Sequence, residues 1–320
     1  MLKNTIEVSV IIVCMNNVDK LFPCIDSIKS QTKTSFEIIV VAYMFSKDNL
    51  LELQKRYPDI IVCVNNEIKG FSENNNIAIR KASGDYLFIV NDDTVMKMPV
   101  IDCLMDDFRK LPKTTAIVSP ATYYMNGELQ SCGRPQHTLY TYLLFLLGLW
   151  KEQKIKSKYV NQKGLFKTYD IVGAAFLVRH DVYKLAGGFD ERFFFCPEDI
   201  ALSTKINKMG YYVYADSEVR ILHMENGTAS KIKTATLPAA FKGEAIYYSN
   251  DSIAIYFLIS LLVIARCGLK YILNIVRYKI SKDEIFKIGY VSNYNIIRAI
   301  LTKATPKEIF IYYYNKLRIT

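Results

Sequence analysis

The chain has 320 residues, 51% hydrophobic and 22% charged, so it can form one large domain with an appendage or two modest domains. Its seven cysteines are scattered and include no C-x-x-C pair, which argues against a disulfide framework or a zinc site and favours a reducing cytosol. The net charge of +10 is concentrated from Arg266 onward, where eleven Lys or Arg accompany three Asp or Glu. These basic residues are interspersed with long apolar runs, as in a membrane-surface element, so nucleic acid is a poor third choice of partner. The N-terminal apolar run reads as a strand, and no signal peptide is predicted.

The first half alternates short apolar runs, rich in β-branched residues, with helical patterns. Strands separated by helices and apolar on both faces predict an α/β fold with a mostly parallel sheet covered on both sides. In such sheets ligands bind beyond the carboxyl ends of the strands. The predicted strands lie at 8–13, 36–43, 60–65, 86–90 and from 116, and the helical patterns at 19–31, 47–56, 72–84 and 99–110.

The second half is less regular. An apolar run at 141–150 is too short to span a bilayer and suits a core helix or the wall of an acceptor pocket. A strand is predicted at 169–180, and a tight loop opens a helix within 185–210. Two more strands follow in 211–224, ending near His223.

Two adjacent carboxylates end the buried strand "YLFIV". Asn91, Asp92 and Asp93 follow it directly, at the edge where ligands bind. Hard oxygen donors of this kind hold Mg²⁺ or Mn²⁺ while leaving positions open for phosphate oxygens. The alternative is that they only cap the next helix or form a turn, and the pair alone does not decide between these interpretations.

A second acidic point lies at the start of a predicted helix. Glu198 and Asp199 suit a general base for an attacking hydroxyl, but acidic residues are also favoured in a first helical turn for purely structural reasons. His223 follows a strand, where its imidazole is either structural or completes the coordination of a cation held by Asp93.

The ordered set of motifs resembles the family-2 glycosyltransferases, closest to the branch of rhamnosyltransferases and other bacterial surface-polysaccharide enzymes. The resemblance covers roughly residues 8–230 and rests on "GDYLFIVNDD", "GGFDERFFFCPED" and "ILHMENGTAS". It implies a GT-A fold, a nucleotide-sugar donor, a divalent cation (Mn²⁺ or Mg²⁺) and inverting hexosyl or rhamnosyl transfer to a hydroxyl.

The resemblance also assigns residues. Asp93 and His223 correspond to metal ligands, Asp199 to the catalytic base and Glu198 to its neighbour that orients the acceptor. The nucleotide-sugar site is assigned to Cys14, Asn16, Asp48, Asn74, Asn91 and Asp92.

Two departures from the family pattern fall on the donor side. Ala42 stands where the family has an Asp that contacts the nucleotide base, and Ser72 and Glu73 replace two glycines before Asn74. The leading hypothesis is an inverting transferase of bacterial surface-glycan synthesis. The rival is a catalytically silent member that binds glycan or partner enzymes, and metal-dependent nucleotide binding separates the two.

The C-terminal region, 241–320, is expected to be helical and basic, after a GT-A domain at 1–240. Residues 253–265 are apolar and uncharged but shorter than a spanning helix. If the helix continues, Arg266, Lys270 and Arg277 share one face opposite Leu269 and Ile272. These features predict peripheral attachment to the cytoplasmic face of the cell membrane, near a lipid-linked glycan acceptor; packing on the domain and a dimer interface are the alternatives.

Overall fold

The computed structural model describes residues 6–150, 162–224 and 232–319, which packing divides into two units. The grouping differs from the predicted boundary at 240, because residues 232–240 and the described residues of two earlier segments group with the C-terminal helices. The first unit takes its described residues from 1–136, 153–190 and 199–227, and the second from 137–152, 191–198 and 228–320.

The strands of the first unit form one mixed sheet. They are β1 (Val8–Met15), β2 (Phe36–Tyr43), β3 (Ile61–Asn65), β4 (Tyr86–Asn91), β5 (Thr94–Met96), β6 (Thr115–Tyr123), β7 (Leu129–Ser131), β8 (Leu165–Thr168), β9 (Ala175–Arg179) and β10 (Tyr212–His223). Their order in the sheet is β3-β2-β1-β4-β9-β6-β10-β5, with β7 beside β6 and β8 beside β10. The pairs β1–β2, β2–β3, β1–β4 and β6–β10 are parallel, whereas β9 is antiparallel to both neighbours.

Helices α1 to α4 separate the early strands, as the alternating pattern predicts. The later helices include four long ones after residue 232. In chain order they are α1 (Val18–Gln31), α2 (Lys47–Arg56), α3 (Phe71–Ile79), α4 (Val100–Lys110), α5 (Leu139–Leu146), α6 (His180–Leu185), α7 (Glu198–Lys208), α8 (Lys233–Ser249), α9 (Ile253–Ser281), α10 (Glu284–Leu301) and α11 (Pro306–Ile319).

Burial on both faces explains the apolar strands of the sheet. In β1, Val10, Ile11 and Ile12 are completely buried although successive side chains point to opposite faces. Each such side chain contributes roughly 1.5–3 kcal/mol when it is removed from water. Two apolar cores therefore lie on the two sides of one sheet, as the continuous apolar runs indicate.

Strand register brings the polar strand ends to one edge. In the parallel pairing, Met15 lies opposite Tyr43, and Val13 lies opposite Asn91. The segments that follow β1, β2 and β4 consequently leave the sheet on the same side. This is the edge at which the sequence places its candidate site.

Two predicted strands differ from the structure. Within 169–180 only β9 joins the sheet, because Asp170 forms an isolated bridge with Arg134 instead. Residues 211–224 contain a single strand, β10, rather than two. Its register is irregular between Asp216 and Arg220, where the Ser217 amide donates to the carbonyl of Gly164.

The second unit has its own helical core. Tyr142 of α5 stacks on Tyr248 of α8 with ring centroids 4.2 Å apart, next to the buried Ile259 and Val263 of α9. Lys242 of α8 is buried, and its ammonium donates to the Tyr256 hydroxyl at 2.6 Å and to the Thr302 carbonyl at 2.7 Å. Burial lowers the pKa of Lys242.

Helix α9 continues through Arg266 and is longer than the apolar run that predicts it. It is the one helix among the described residues with the length and apolar composition to cross a membrane, and only 17% of its most apolar stretch is buried. Leu269 and Ile272 are 61% and 59% exposed. Arg266 does not share the exposed cationic face, because its Nη1 donates to the Phe145 carbonyl at 2.6 Å at the end of α5.

Candidate active site

The pairing of β10 with β5 brings Asp93 and His223 together. Asp93 immediately precedes β5, and His223, at the end of β10, lies opposite Thr94 of β5. The Met224 amide donates to the Asp93 carbonyl at 2.9 Å. His223 Nε2 then lies 3.1 Å from Asp93 Oδ1, so residues 130 positions apart in sequence form one polar cluster.

Lys20 adds a cation that the sequence interpretation missed. Its Nζ, on the first turn of α1, lies 3.4 Å from Asp93 Oδ2. Burial by itself raises the pKa of the Asp93 carboxyl, but the hydrogen bond and charge of His223, together with Lys20, outweigh burial and lower this pKa. Asp93 is thus held as a carboxylate.

Gln130 orients the imidazole from the other side. Its Oε1 lies 2.9 Å from His223 Nδ1 and accepts the Nδ1 hydrogen, which turns Nε2 toward Asp93. Nε2 donates to Asp93 when protonated, or offers a lone pair to a cation when it is not. Gln130 lies on the short strand β7 and follows no motif, so the sequence carried no signal for this role.

Asp92 differs from Asp93 although the two are adjacent. Burial is the main cause that raises the pKa of Asp92 to about 6, and the charge of Asp93 adds to it, while a hydrogen bond with Cys14 opposes both. Burial and the neighbouring Asp92 raise the pKa of the Cys14 thiol well above its usual value. Cys14 is therefore a buried neutral neighbour of the site at the end of β1.

The donors available to a divalent cation are few. No cluster of three or more His, Cys, Asp or Glu with metal-binding placement occurs among residues 6–150, 162–224 and 232–319. Asp93 and His223 converge within hydrogen-bonding distance. A carboxylate suits Mn²⁺ or Mg²⁺ when phosphate and water oxygens fill the other positions, and the imidazole favours Mn²⁺ over the harder Mg²⁺. The residues present fit a cation that is shared with a bound diphosphate.

Asp199 is held by an arginine that the sequence interpretation also missed. Arg134 Nη2 lies 2.5 Å from Asp199 Oδ2 and 3.5 Å from Asp170 Oδ2, and Arg134 Nε donates to the Ile171 carbonyl at 3.0 Å. The Ile200 amide donates to Asp199 Oδ1 at 2.8 Å. The carboxylate of Asp199 is therefore fixed in orientation.

Glu198 belongs to the second unit, whereas Asp199 belongs to the first. Glu198 is the first residue of α7, and its side chain is buried.

The other predicted donor-site residues lie in two groups. Asn16, with φ of 50°, accepts from the Ser46 amide at 2.8 Å and so ties the end of β1 to the start of α2, where Asp48 is exposed in the first turn. Asn74 is buried, and its amide group bonds Asn65, Lys69 and Gly70. Asn74 holds the loop before α3, and the structure does not bring its side chain to the surface.

The two departures from the family pattern have clear places in the fold. Ala42 is completely buried in β2, opposite Cys14 of β1 and Val64 of β3. Glu73 lies in the first turn of α3, and its carboxylate accepts from the backbone amide of the N-cap residue Gly70 at 3.1 Å. A capped helix start thus replaces a flexible glycine pair.

Comparison with known proteins shows the family. The model of glycosyl transferase family 2 matches residues 9–185. The chain is 24% identical over 237 residues to the O-antigen biosynthesis protein RfbC of Myxococcus xanthus, covering 71% of this chain and 18% of that protein. It is also 24% identical over 172 residues to an N-acetylglucosaminyl-diphospho-decaprenol L-rhamnosyltransferase of Mycobacterium tuberculosis, covering 52% of this chain and 55% of that protein. The chain therefore spans about half of one relative and less than a fifth of the other.

Solved structures show the fold. GalNAc-T7 with UDP, GalNAc and Mn²⁺ superposes with a TM-score of 0.56 at 17% identity, covering 71% of this chain and 45% of that one. The mannosyltransferase PcManGT of Pyrobaculum calidifontis, in complex with GDP-Man and Mn²⁺, gives 0.51 at 15% identity, covering 99% and 82%. The predicted GT-A fold and the resemblance to the rhamnosyltransferase-like branch are confirmed. By its sequence and its fold, this chain belongs to glycosyl transferase family 2.

Proposed function

We propose that this chain transfers a sugar, with inversion, from a nucleotide-diphosphate donor to a hydroxyl of a lipid-linked glycan in the synthesis of a bacterial surface polysaccharide. The observation that carries the proposal is the convergence of Asp93 and His223 at the carboxyl edge of the sheet. Both curated relatives carry names from this chemistry, one of O-antigen biosynthesis and one of a rhamnosyltransferase with a diphospho-decaprenol substrate.

Each residue has a defined part in the proposed reaction. A divalent cation bound by Asp93 and His223 would supply the positive charge that a departing diphosphate requires. Lys20, 3.4 Å from Asp93, adds to the effect of His223 in keeping this side chain ionised, and Gln130 keeps His223 Nε2 turned toward it. Asp199, oriented by Arg134, accepts the proton of the attacking hydroxyl. One base and a single displacement account for inversion.

The rival function, that of a catalytically silent member that binds glycan or a partner enzyme, is favoured by two features. The capped start of α3 and the buried Ala42 alter two donor-side positions. Under this rival, glycan or a partner enzyme binds without nucleotide chemistry. We favour the transferase because the carboxylates and the imidazole are all present in the sequence and Asp93 lies 3.1 Å from His223.

Calorimetry separates these functions. The wild-type protein is titrated with UDP, dTDP and GDP, each with and without Mn²⁺, and the same titration is repeated with Asp93→Ala and the surface control Asp59→Ala, whose side chain is 63% exposed. We expect Mn²⁺-dependent binding of one nucleotide in the wild type and the control, and its loss in Asp93→Ala. Absence of Mn²⁺-dependent binding in the wild type contradicts the proposal. A hydrolysis screen across UDP-, dTDP- and GDP-sugars then identifies the donor.

The proposed location is the cytoplasmic face of the cell membrane, with α9 attached to the surface. Exposed apolar residues of α9 support it, as do the exposed Lys270 and Arg277 on the same helix, since each basic residue contributes about 1 kcal/mol near an anionic surface. Cells expressing the wild type or Leu269→Gln/Ile272→Gln are fractionated and washed with high salt and with detergent. We expect the wild type on membranes and more of the double variant in the soluble fraction; wild-type protein wholly soluble at low salt contradicts attachment.

A further inference from the structure

The helical unit contains a cavity of about 750 Å³. Helices α8, α9 and α10 supply most of its walls, with apolar side chains that include Leu237, Phe241 and Ile296. Its size lies within the roughly 300–1,000 Å³ of small-molecule sites in proteins. All of its lining residues belong to the second unit, so it is distinct from the cluster around Asp93.

The polar part of the cavity is cationic. Lys233, Arg266 and Lys270 line it, and no described residue among its lining is acidic. Arg266 Nη1 donates hydrogen bonds to the carbonyls of Phe145 and Leu146, but its buried Nε has no hydrogen-bond partner among the described residues. Three cationic side chains around an apolar space are suited to an anion attached to an apolar chain.

A buried hydroxyl indicates that a ligand belongs there. Ser292 of α10 lines the cavity and is 3% exposed, and its Oγ has no hydrogen-bond partner among the described residues. Serine in a helix usually returns its hydroxyl to the carbonyl four residues earlier, and a buried hydroxyl without a partner costs about 1–3 kcal/mol. A ligand oxygen that accepted from Ser292 would remove this cost.

The apolar wall reaches the surface. Ile285 and Ile288 line the cavity and are also 65% and 45% exposed. They lie on α10, whose partner helix α9 carries a run of exposed apolar side chains along its length. A long hydrocarbon chain can therefore leave the cavity without entering water when this surface lies against a membrane.

We propose that the cavity binds the diphosphate and the first isoprene units of the polyprenyl carrier that holds the acceptor glycan. This inference rests on the proposed function, since it gives the lipid-linked acceptor a site. Lys233, Arg266 and Lys270 bind the diphosphate together with the Ser292 hydroxyl, and Leu237, Phe241 and Ile296 contact the isoprenoid. A diphosphate matches three cations better than the single phosphodiester of an ordinary anionic lipid does.

The test uses the full-length protein in detergent and a farnesyl diphosphate that carries a diazirine on its terminal isoprene. We expect saturable photolabelling that maps to α8, α9 or α10, and competition by unlabelled farnesyl diphosphate but not by equimolar farnesol or phosphatidylglycerol. Lys270→Gln and Ser292→Val should each weaken binding about tenfold, the effect of one lost charge-assisted hydrogen bond. The matched control Lys279→Gln changes an exposed lysine of the same helix that does not line the cavity, and it should bind as the wild type does.

Several results would overturn the inference. One is labelling that maps outside the helical unit, and another is equal binding of the probe by Lys270→Gln and the wild type. A third is displacement of the probe by phosphatidylglycerol as effectively as by farnesyl diphosphate, because the cavity would then be a general anionic-lipid site. Mn²⁺-dependent nucleotide binding is measured on the same samples. Probe binding without nucleotide binding would contradict the proposed transferase alone, whereas nucleotide binding without probe binding would contradict the lipid site alone.

Discussion

Replacing Asp107 by Asn should stabilise the protein near neutral pH and not in acid. Asp107 of α4 and Asp216 of β10 are both buried, 4% and 8% exposed. Burial, together with the charge and hydrogen bond of Asp216, raises the pKa of Asp107 from 3.8 to about 6. The only lysine beside it among the described ion pairs is Lys110, at 3.4 Å and itself 69% exposed, which offsets little of this effect.

The sign and size of the effect follow from this pKa. Because the folded pKa lies above the unfolded one, the folded state binds the proton more tightly, and stability is lost as the pH rises from about 4 through 6. Each pH unit between the two pKa values is worth about 1.4 kcal/mol, so the full loss is roughly 3 kcal/mol. An Asn side chain is neutral at every pH and can still donate to Asp216, so the variant avoids this loss.

Urea unfolding followed by circular dichroism at pH 4 and pH 8 tests this. The stability gained by Asp107→Asn should be under about 1 kcal/mol at pH 4 and approach roughly 3 kcal/mol at pH 8. The neighbouring Asp106→Asn is the control, because its carboxylate is 57% exposed and pairs with Arg109; its effect should stay within about 1 kcal/mol at both pH values. An equal effect of Asp107→Asn at both pH values, or a loss of stability at pH 8, would refute the reasoning.

Three further changes test the site and its support. Asp199→Asn keeps the shape of the side chain but removes its basicity, so turnover should fall by about 10²- to 10⁴-fold, while donor affinity measured by calorimetry changes little. Near-normal turnover would assign the role of base to Glu198 or to another residue. Gln130→Met releases His223 Nδ1 and should weaken Mn²⁺ affinity in the presence of nucleotide by about 10- to 100-fold, whereas the exposed control Gln136→Met should not. Gly243→Ala should lower the free energy of unfolding by about 1–3 kcal/mol, because its Cβ would lie 2.6 Å from the Cys196 carbonyl oxygen. In the control Gly268→Ala the new Cβ meets nothing within 4 Å, so the free energy of unfolding should rise by up to about 1 kcal/mol. Thermal unfolding measures both, and equal effects would contradict the packing argument.

Local pattern was sufficient to predict the first half of the fold. Strands such as β1 and β4 are apolar on both faces, and helices such as α4 bury a regular stripe, so periodicity distinguishes them. It also placed Asp92 and Asp93 at the correct edge. It failed only in the first part of 169–180, where Asp170 bridges to Arg134 outside the strands of the sheet, a contact between residues 36 positions apart.

The missed site residues share one property, which is that each acts through a distant partner. Lys20 contacts Asp93 across 73 positions, and Gln130 contacts His223 across 93. No motif assigns a role to either residue, and each would be an ordinary surface or strand residue in another fold. Only the closure of α1 onto β5 and the pairing of β7 with β6 bring them to the site.

The two adjacent carboxylates explain why a cation suits this site. The pKa values of the two carboxyls are shifted in opposite directions. Burial raises that of Asp92 to about 6, whereas His223 and Lys20 lower that of Asp93. At pH 7 both are negative. Lys20 compensates one of them, and His223, which is charged only when protonated, leaves the other uncompensated in the neutral form that binds a metal. A nucleotide diphosphate approaching this edge would be repelled, because its charge has the same sign as the uncompensated carboxylate. A divalent cation would reverse that balance, which is the electrostatic argument for the proposed Mn²⁺ dependence.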